Sequence, residues 1–161
     1  MAKQETVSLR KQLATLLHMK GAHVNLEAAV SGFPAALRGV KPPGAPHTAW
    51  QLLEHMRIAQ EDILDFSRNP KYRLKTFPDD YWPATEAPPT DDAWDESIRK
   101  FHESLQQMHE LIADTKGDLL AKIPHGSGQT LLREALVLAD HNSYHLGQLV
   151  FLRKMLEAAA K

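Results

Sequence analysis

All ten prolines of this 161-residue chain fall at positions 34–46, 70–89 and 124. Proline lacks a backbone N–H and clashes with the preceding turn, so it breaks a helix interior. The stretches between these positions are long, and each repeats its apolar residues at helical spacing. Residues 5–19 place Leu9, Leu13, Leu16 and Leu17 on one face, with Gly21 beyond the end as a stop. Residues 22–47 are read as irregular, with a short helix after Asn25. A second helix opens at Thr48-Ala-Trp-Gln51, a capping box in which the two side chains satisfy orphan N–H groups. It runs to about Arg68, with a stripe of Leu52, Leu53, Met56, Ala59, Ile63 and Phe66. A third spans 91–114: Trp94, Ile98, Phe101, Leu105, Met108 and Ile112 form a bundle seam, and Asp91 and Asp92 suit its positive end. Gly117, Pro124, Gly126 and Gly128 mark the next break, with one short turn at 118–123. The fourth helix, 129–156, would be roughly 40 Å long.

This pattern predicts an all-α fold, a four-helix bundle forming a single domain over 1–161. The connection at 69–90 is too long for a tight hairpin. It is expected to cross the length of the bundle, leaving the second and third helices parallel, with Tyr81 and Trp82 packed as a lid. The fourth helix is apolar on two sides. Val137, Leu138, Leu149 and Leu152 lie on one, and Leu132, Leu136, Leu146 and Val150 on the other. A helix buried on both sides sits deep in a core or in a subunit interface. The chain is small, so a homodimer through the Leu146 face is expected.

Lys and Arg number 19 against 20 Asp and Glu, with no basic stripe, which argues against nucleic acid and anionic membrane as partners. Cysteine is absent, which excludes disulfides, thiolate metal sites and a cysteine nucleophile. No window approaches the roughly 18–20 apolar residues of a membrane span. Met-Ala-Lys-Gln-Glu at the start lacks the apolar core of a signal peptide. A cytoplasmic location is the expectation.

The chemistry-bearing residues are histidines. His141 and His145 stand four apart, so both rings lie on one face of the fourth helix, in the direction of Val137, Leu138 and Leu152. Glu134 and Gln148 fall on the same line. His55 sits at the edge of the second helix's stripe, with Asp62 two turns on. Buried imidazoles need partners for both nitrogens. Hydrogen-bonded core histidines would meet that need, and so would a metal with outer carboxylate or carbonyl partners. Three nitrogen ligands would leave a position open, the catalytic pattern. Histidine ligation fits zinc, nickel, iron or copper. His102 and His109 flank the third helix's seam, and either could add a fourth ligand. His47 lies about 12 Å along the axis from His55, too far to share a metal. His18, His23 and His125 fall in loops or at a helix end, and a surface position is expected for all six of these histidines. Asp62, Glu134 and Gln148 are candidates for orienting ligands or substrate. Tyr144, about 60° from His141 on the helical wheel, would pack in the core or donate to substrate.

These residues carry a likeness. The chain resembles the DinB/YfiT-like family of metal-dependent enzymes in His55 within Trp-Gln-Leu-Leu-Glu-His-Met-Arg and in the late His141 and His145 pair followed by Leu-Gly-Gln-Leu-Val. Pro-Pro-Gly-Ala-Pro-His-Thr before the second helix is similar too. The resemblance implies an up-down-down-up bundle with a long crossover between the second and third helices. It also implies a divalent metal (zinc, nickel or iron) on His55, His141 and His145. Dimers are common among such proteins, and characterised relatives use low-molecular-weight thiols in transfer or isomerisation. The expectation is a metal-dependent enzyme, of transferase or hydrolase type, that activates water or a small thiol toward a small-molecule substrate. The rivals are a non-catalytic metal-binding or protein-interaction bundle and a metal-free structural dimer.

Overall fold

The computed structural model describes residues 3–19 and 21–160. Five α-helices follow in order: α1 (Lys3–Leu17), α2 (Leu26–Val30), α3 (Ala49–Arg68), α4 (Ala93–Ala113) and α5 (Leu131–Ala159), with a 3-10 turn at Ala35–Leu37. The four long helices are those the periodicity predicts. The short helix after Asn25 is α2, where the Asn25 side chain accepts from the Ala28 N–H at 3.0 Å. At the start of α3 the capping box closes as read: Thr48 Oγ1 accepts from Gln51 N at 3.1 Å, and Gln51 Oε1 accepts from Thr48 N at 3.0 Å. Helix α5 is capped by Thr130, whose hydroxyl accepts from Arg133 N, and runs on past 156 through alanines, the strongest helix formers.

Helix α3 packs on α4 on one side and on α5 on the other, and α1 closes the bundle against α4 and α5. Direction follows from paired contacts. Ser97 donates to Glu54 and Gln60 donates to Ser104, so position advances together along α3 and α4, and the two are parallel. His55 meets His145 while Asn142 donates to Gln60, so α3 and α5 are antiparallel. The crossover between α3 and α4 makes the parallel pair possible. Tyr72 and Tyr81 donate to Asp62, Trp82 stacks on His55, Thr85 accepts from Trp50, and Glu86 O accepts from Thr48 Oγ1 at 2.6 Å. These contacts retrace α3 from Asp62 back to its cap at Thr48, so the chain arrives at the right end to start α4. Where the crossover ends, it meets the loop after the 3-10 turn. A Cβ on Gly39 would lie 2.5 Å from Ala87 Cβ, so only glycine admits this approach.

The structure corrects the reading of α5. Leu146, expected on an outer face, is 1 % exposed and belongs to the core with Leu149 and Leu138. Helices α1 and α2 both pack on α5, and Arg153 donates to the carbonyls of Ala29 and Ser31 at 2.8 Å. The second apolar side is therefore largely covered within one chain. The large apolar residues that stay exposed along α5 are Leu136, Tyr144 and Phe151. Among the described residues no helix is long and apolar enough to cross a membrane.

Candidate metal centre

Parallel and antiparallel packing around α3 brings His55 to the middle of α5. Its Nε2 lies 3.0 Å from His141 Nε2 and 3.2 Å from His145 Nε2. The three ligand-type nitrogens lie within 4.8 Å of one another, and among the described residues this is the group that could hold a metal ion. Metal–nitrogen bonds of about 2.0–2.1 Å place ligand nitrogens roughly 3.0–3.4 Å apart, so the two closest spacings fit a shared ion.

Hydrogen bonding on the far side of the rings decides what the nitrogens present. His55 Nδ1 is 2.8 Å from the Tyr81 carbonyl, and His145 Nδ1 is 2.8 Å from Gln148 Oε1. The Tyr81 carbonyl can only accept, so His55 carries its proton at Nδ1, and with Gln148 Oε1 turned toward it His145 does the same. In neutral rings both Nε2 atoms then present lone pairs to the same point. A proton on His141 Nε2 would satisfy the 3.0 Å contact to His55. Nothing comparable separates His55 from His145, whose 3.2 Å contact between neutral rings is lone pair against lone pair. A cation between them removes that repulsion. His141 Nδ1 is buried and has no protein partner.

A proton in place of the cation is disfavoured. Burial pushes His55 down to about 4 against the pull of the Tyr81 carbonyl, and His145 and His47 lower it further. Burial, with His145 and His55 beside it, pushes His141 down to about 4 as well. His145 is also lowered by burial, with Gln148 opposing. The rings are therefore neutral at pH 7 and available as ligands. The sign for stability follows. The unfolded chain takes up these protons near pH 6.5, and in the native state His55 and His141 resist them down to about 4. Metal-free protein should lose stability as pH falls from 6.5 to 4, with no further loss from these groups below that. The urea midpoint measured across that window should drop, and His141→Gln should flatten the drop. Equal slopes would remove His141 as a cause.

The crossover roofs the cluster. The Trp82 ring stacks on His55 at 3.9 Å and 3°, and its other face takes His47 at 3.8 Å and 16°. His47, expected at the surface, is half-buried in this stack and touches no ligand nitrogen. His102 and His109 are not brought to the cluster. His102 Nε2 lies 3.7 Å from Glu27 and His109 stacks on His18 at 4.0 Å, on the face of α4 that meets α1 and α2. Half-burial of His109 corrects its expected surface position.

The four accessory candidates separate. Gln148 orients His145 directly. Asp62 is buried and accepts from Tyr81 Oη at 2.6 Å and from Tyr72 Oη at 3.1 Å, so it reaches His55 only through Tyr81. Glu134 is buried and pairs with Arg133 at 2.7 Å, with no hydrogen bond to the three rings, two turns short of His141. Tyr144 is 64 % exposed, which rules out the core-packing reading; its ring edge meets His145 at 4.9 Å. Missing from the sequence reading was the Tyr81 carbonyl: a backbone acceptor leaves no trace in residue type. Beside the cluster lies a groove of about 270 Å³ between residues 43–47 and the C-terminal half of α5. Leu52, Phe151, Leu152 and Met155 make it apolar, and His47 and Gln148 are its polar members.

A family model described as the DinB superfamily matches residues 18–149, a span that contains all three histidines. No curated protein and no solved structure matches the chain.

Proposed function

We propose that this chain, which belongs to the DinB superfamily, holds one divalent metal on His55, His141 and His145 and acts as an enzyme on a small molecule. The observation that carries this reading is the 3.2 Å approach of two Nε2 atoms whose rings each set Nδ1 against an oxygen acceptor. A bound zinc, nickel or iron ion would supply Lewis acidity toward water or a small thiol. The protein's own part is positional. Tyr81 and Gln148 hold two rings by their outer nitrogens, and Trp82 covers the face of His55. Three protein nitrogens leave room for a reactant. The groove would take the apolar body of an electrophilic substrate, with Gln148 shared between groove and cluster. Any thiol must come from outside, because the chain has no cysteine. The reaction type is transfer or hydrolysis. The same reading places the protein in the cytoplasm, as a homodimer through the outer face of α5, where Leu136, Tyr144 and Phe151 stand exposed.

The test is a rate comparison. Metal-loaded wild type and His145→Ala are offered a chromogenic ester with water, and an aryl halide with mercaptoethanol. Turnover by the wild type that the variant lacks is the expected result. Rates at the uncatalysed background for both proteins, with metal bound to the wild type, would leave a non-catalytic metal-binding bundle.

A further inference from the structure

We infer that Asp62 is a positioning residue for the metal centre and that it acts through Tyr81; this rests on the metal reading above. Asp62 is 8 % exposed, and among the described residues it forms no ion pair. A buried carboxylate without a cation is costly, and hydrogen bonds to it are its compensation. Two phenols provide them: Tyr81 Oη at 2.6 Å and Tyr72 Oη at 3.1 and 3.3 Å.

Tyr81 is the residue that links the carboxylate to a ligand. Its hydroxyl is held by Asp62, and its carbonyl accepts from His55 Nδ1 at 2.8 Å. The peptide group carrying that carbonyl leads into Trp82, whose ring lies 3° from parallel with His55. In-plane and face restraints on the His55 ring therefore both depend on where the Tyr81–Trp82 peptide sits.

The contrast with His145 explains why an anchor is needed. Gln148, which orients His145, is three residues along the same helix, so α5 itself places it. The partner of His55 lies in the crossover, outside any helix. A turn closed by Tyr81 N–H on the Pro78 carbonyl at 3.0 Å, and no helix, precedes that carbonyl, and the Tyr81 hydroxyl adds a side-chain tether. Asp62, fixed on α3 two turns beyond His55, provides the anchor. Tyr72 is the comparison. Its hydroxyl shares the carboxylate and meets the Tyr81 hydroxyl there, but its own backbone N–H bonds Asn69 and its carbonyl reaches no ring of the centre.

The experiment compares Tyr81→Phe with Tyr72→Phe. Each removes one hydroxyl from Asp62 and leaves the backbone in place. Zinc affinity is read by competition with a chromophoric chelator, and fold stability by urea unfolding of the metal-free protein. Tyr81→Phe should weaken zinc binding roughly tenfold, the low end of the range for partners outside the ligand set. Tyr72→Phe should leave affinity near wild type even where its stability loss matches. Asp62→Ala should reproduce the Tyr81→Phe loss, and Asp62→Asn, which keeps an acceptor oxygen, should restore part of it. A second signature needs no metal. The nitrogen NMR shifts of His55 should report an Nδ1–H ring in the wild type and a mixture of tautomers in Tyr81→Phe. Equal affinities and equal tautomer signatures in the two tyrosine variants would overturn the positioning role. Wild type without metal would overturn the function proposed above instead, and the tautomer comparison would then decide this inference alone.

Discussion

Tag-free protein will keep about one divalent metal per chain through dialysis against a chelator that the weakened His145→Ala site cannot outcompete, and the variant will keep its helical fold. Metal sites in small proteins bind with about 10–16 kcal/mol spread over four ligands. Losing one imidazole of three should therefore cost about 3 kcal/mol, roughly a hundredfold in affinity. The fold should tolerate the change. His145 is 9 % exposed, and its removal deletes the close Nε2 contact with His55 as well as some packing. Elemental analysis beside far-ultraviolet circular dichroism checks both halves. Metal retained in the variant would remove His145 from the ligand set. Metal in neither protein, after zinc and nickel are added, would favour the metal-free structural reading.

Leu146→Glu will not give a folded monomer. Leu146 is 1 % exposed within the main core, and no cation is paired with that position. Burying a carboxylate there combines lost apolar packing with an unpaired charge, two of the mechanisms behind the largest single-site losses. A cost of about 4–5 kcal/mol or more is comparable with the whole stability of an ordinary domain. Phe151→Glu is the counterpart. At 66 % exposure it should change monomer stability by no more than about 0.5 kcal/mol. If the outer face of α5 joins two copies, sedimentation of Phe151→Glu will shift toward the monomer. A cooperative unfolding curve at the wild-type midpoint for Leu146→Glu would show that its side chain lies outside the core.

Leu146 marks where reasoning from periodicity stopped. Spacing along α5 gave two apolar sides and assigned Leu146 to the outer one, although it lies only about 80° from Leu138 on the wheel. It could not say that α1 and α2 would cover the second side within the same chain. The angular position of a residue about its own helix is local. The neighbour that covers it depends on how separate helices pack. The same limit applies to His102 and His109. Both flank the α4 seam as read, but they turn to the α1 and α2 side of the bundle.

Much of the remainder was legible in the chain. The helices follow from proline placement and apolar spacing, and the start of α3 from Thr48 and Gln51, because those effects act within a turn or two. The shared face of His141 and His145 follows from helix geometry alone. The third histidine came from its place at the edge of the α3 stripe together with the family likeness. Tertiary structure decided what surrounds the three rings. The Tyr81 carbonyl on His55, the His47–Trp82–His55 stack and the Asp62 tether all join residues whose meeting is set by the path of a 24-residue crossover between 69 and 92. That path has no repeating pattern, and its key contact uses a backbone oxygen that every residue possesses. Local spacing determines which side chains share a face, whereas only the packed chain determines what each face meets.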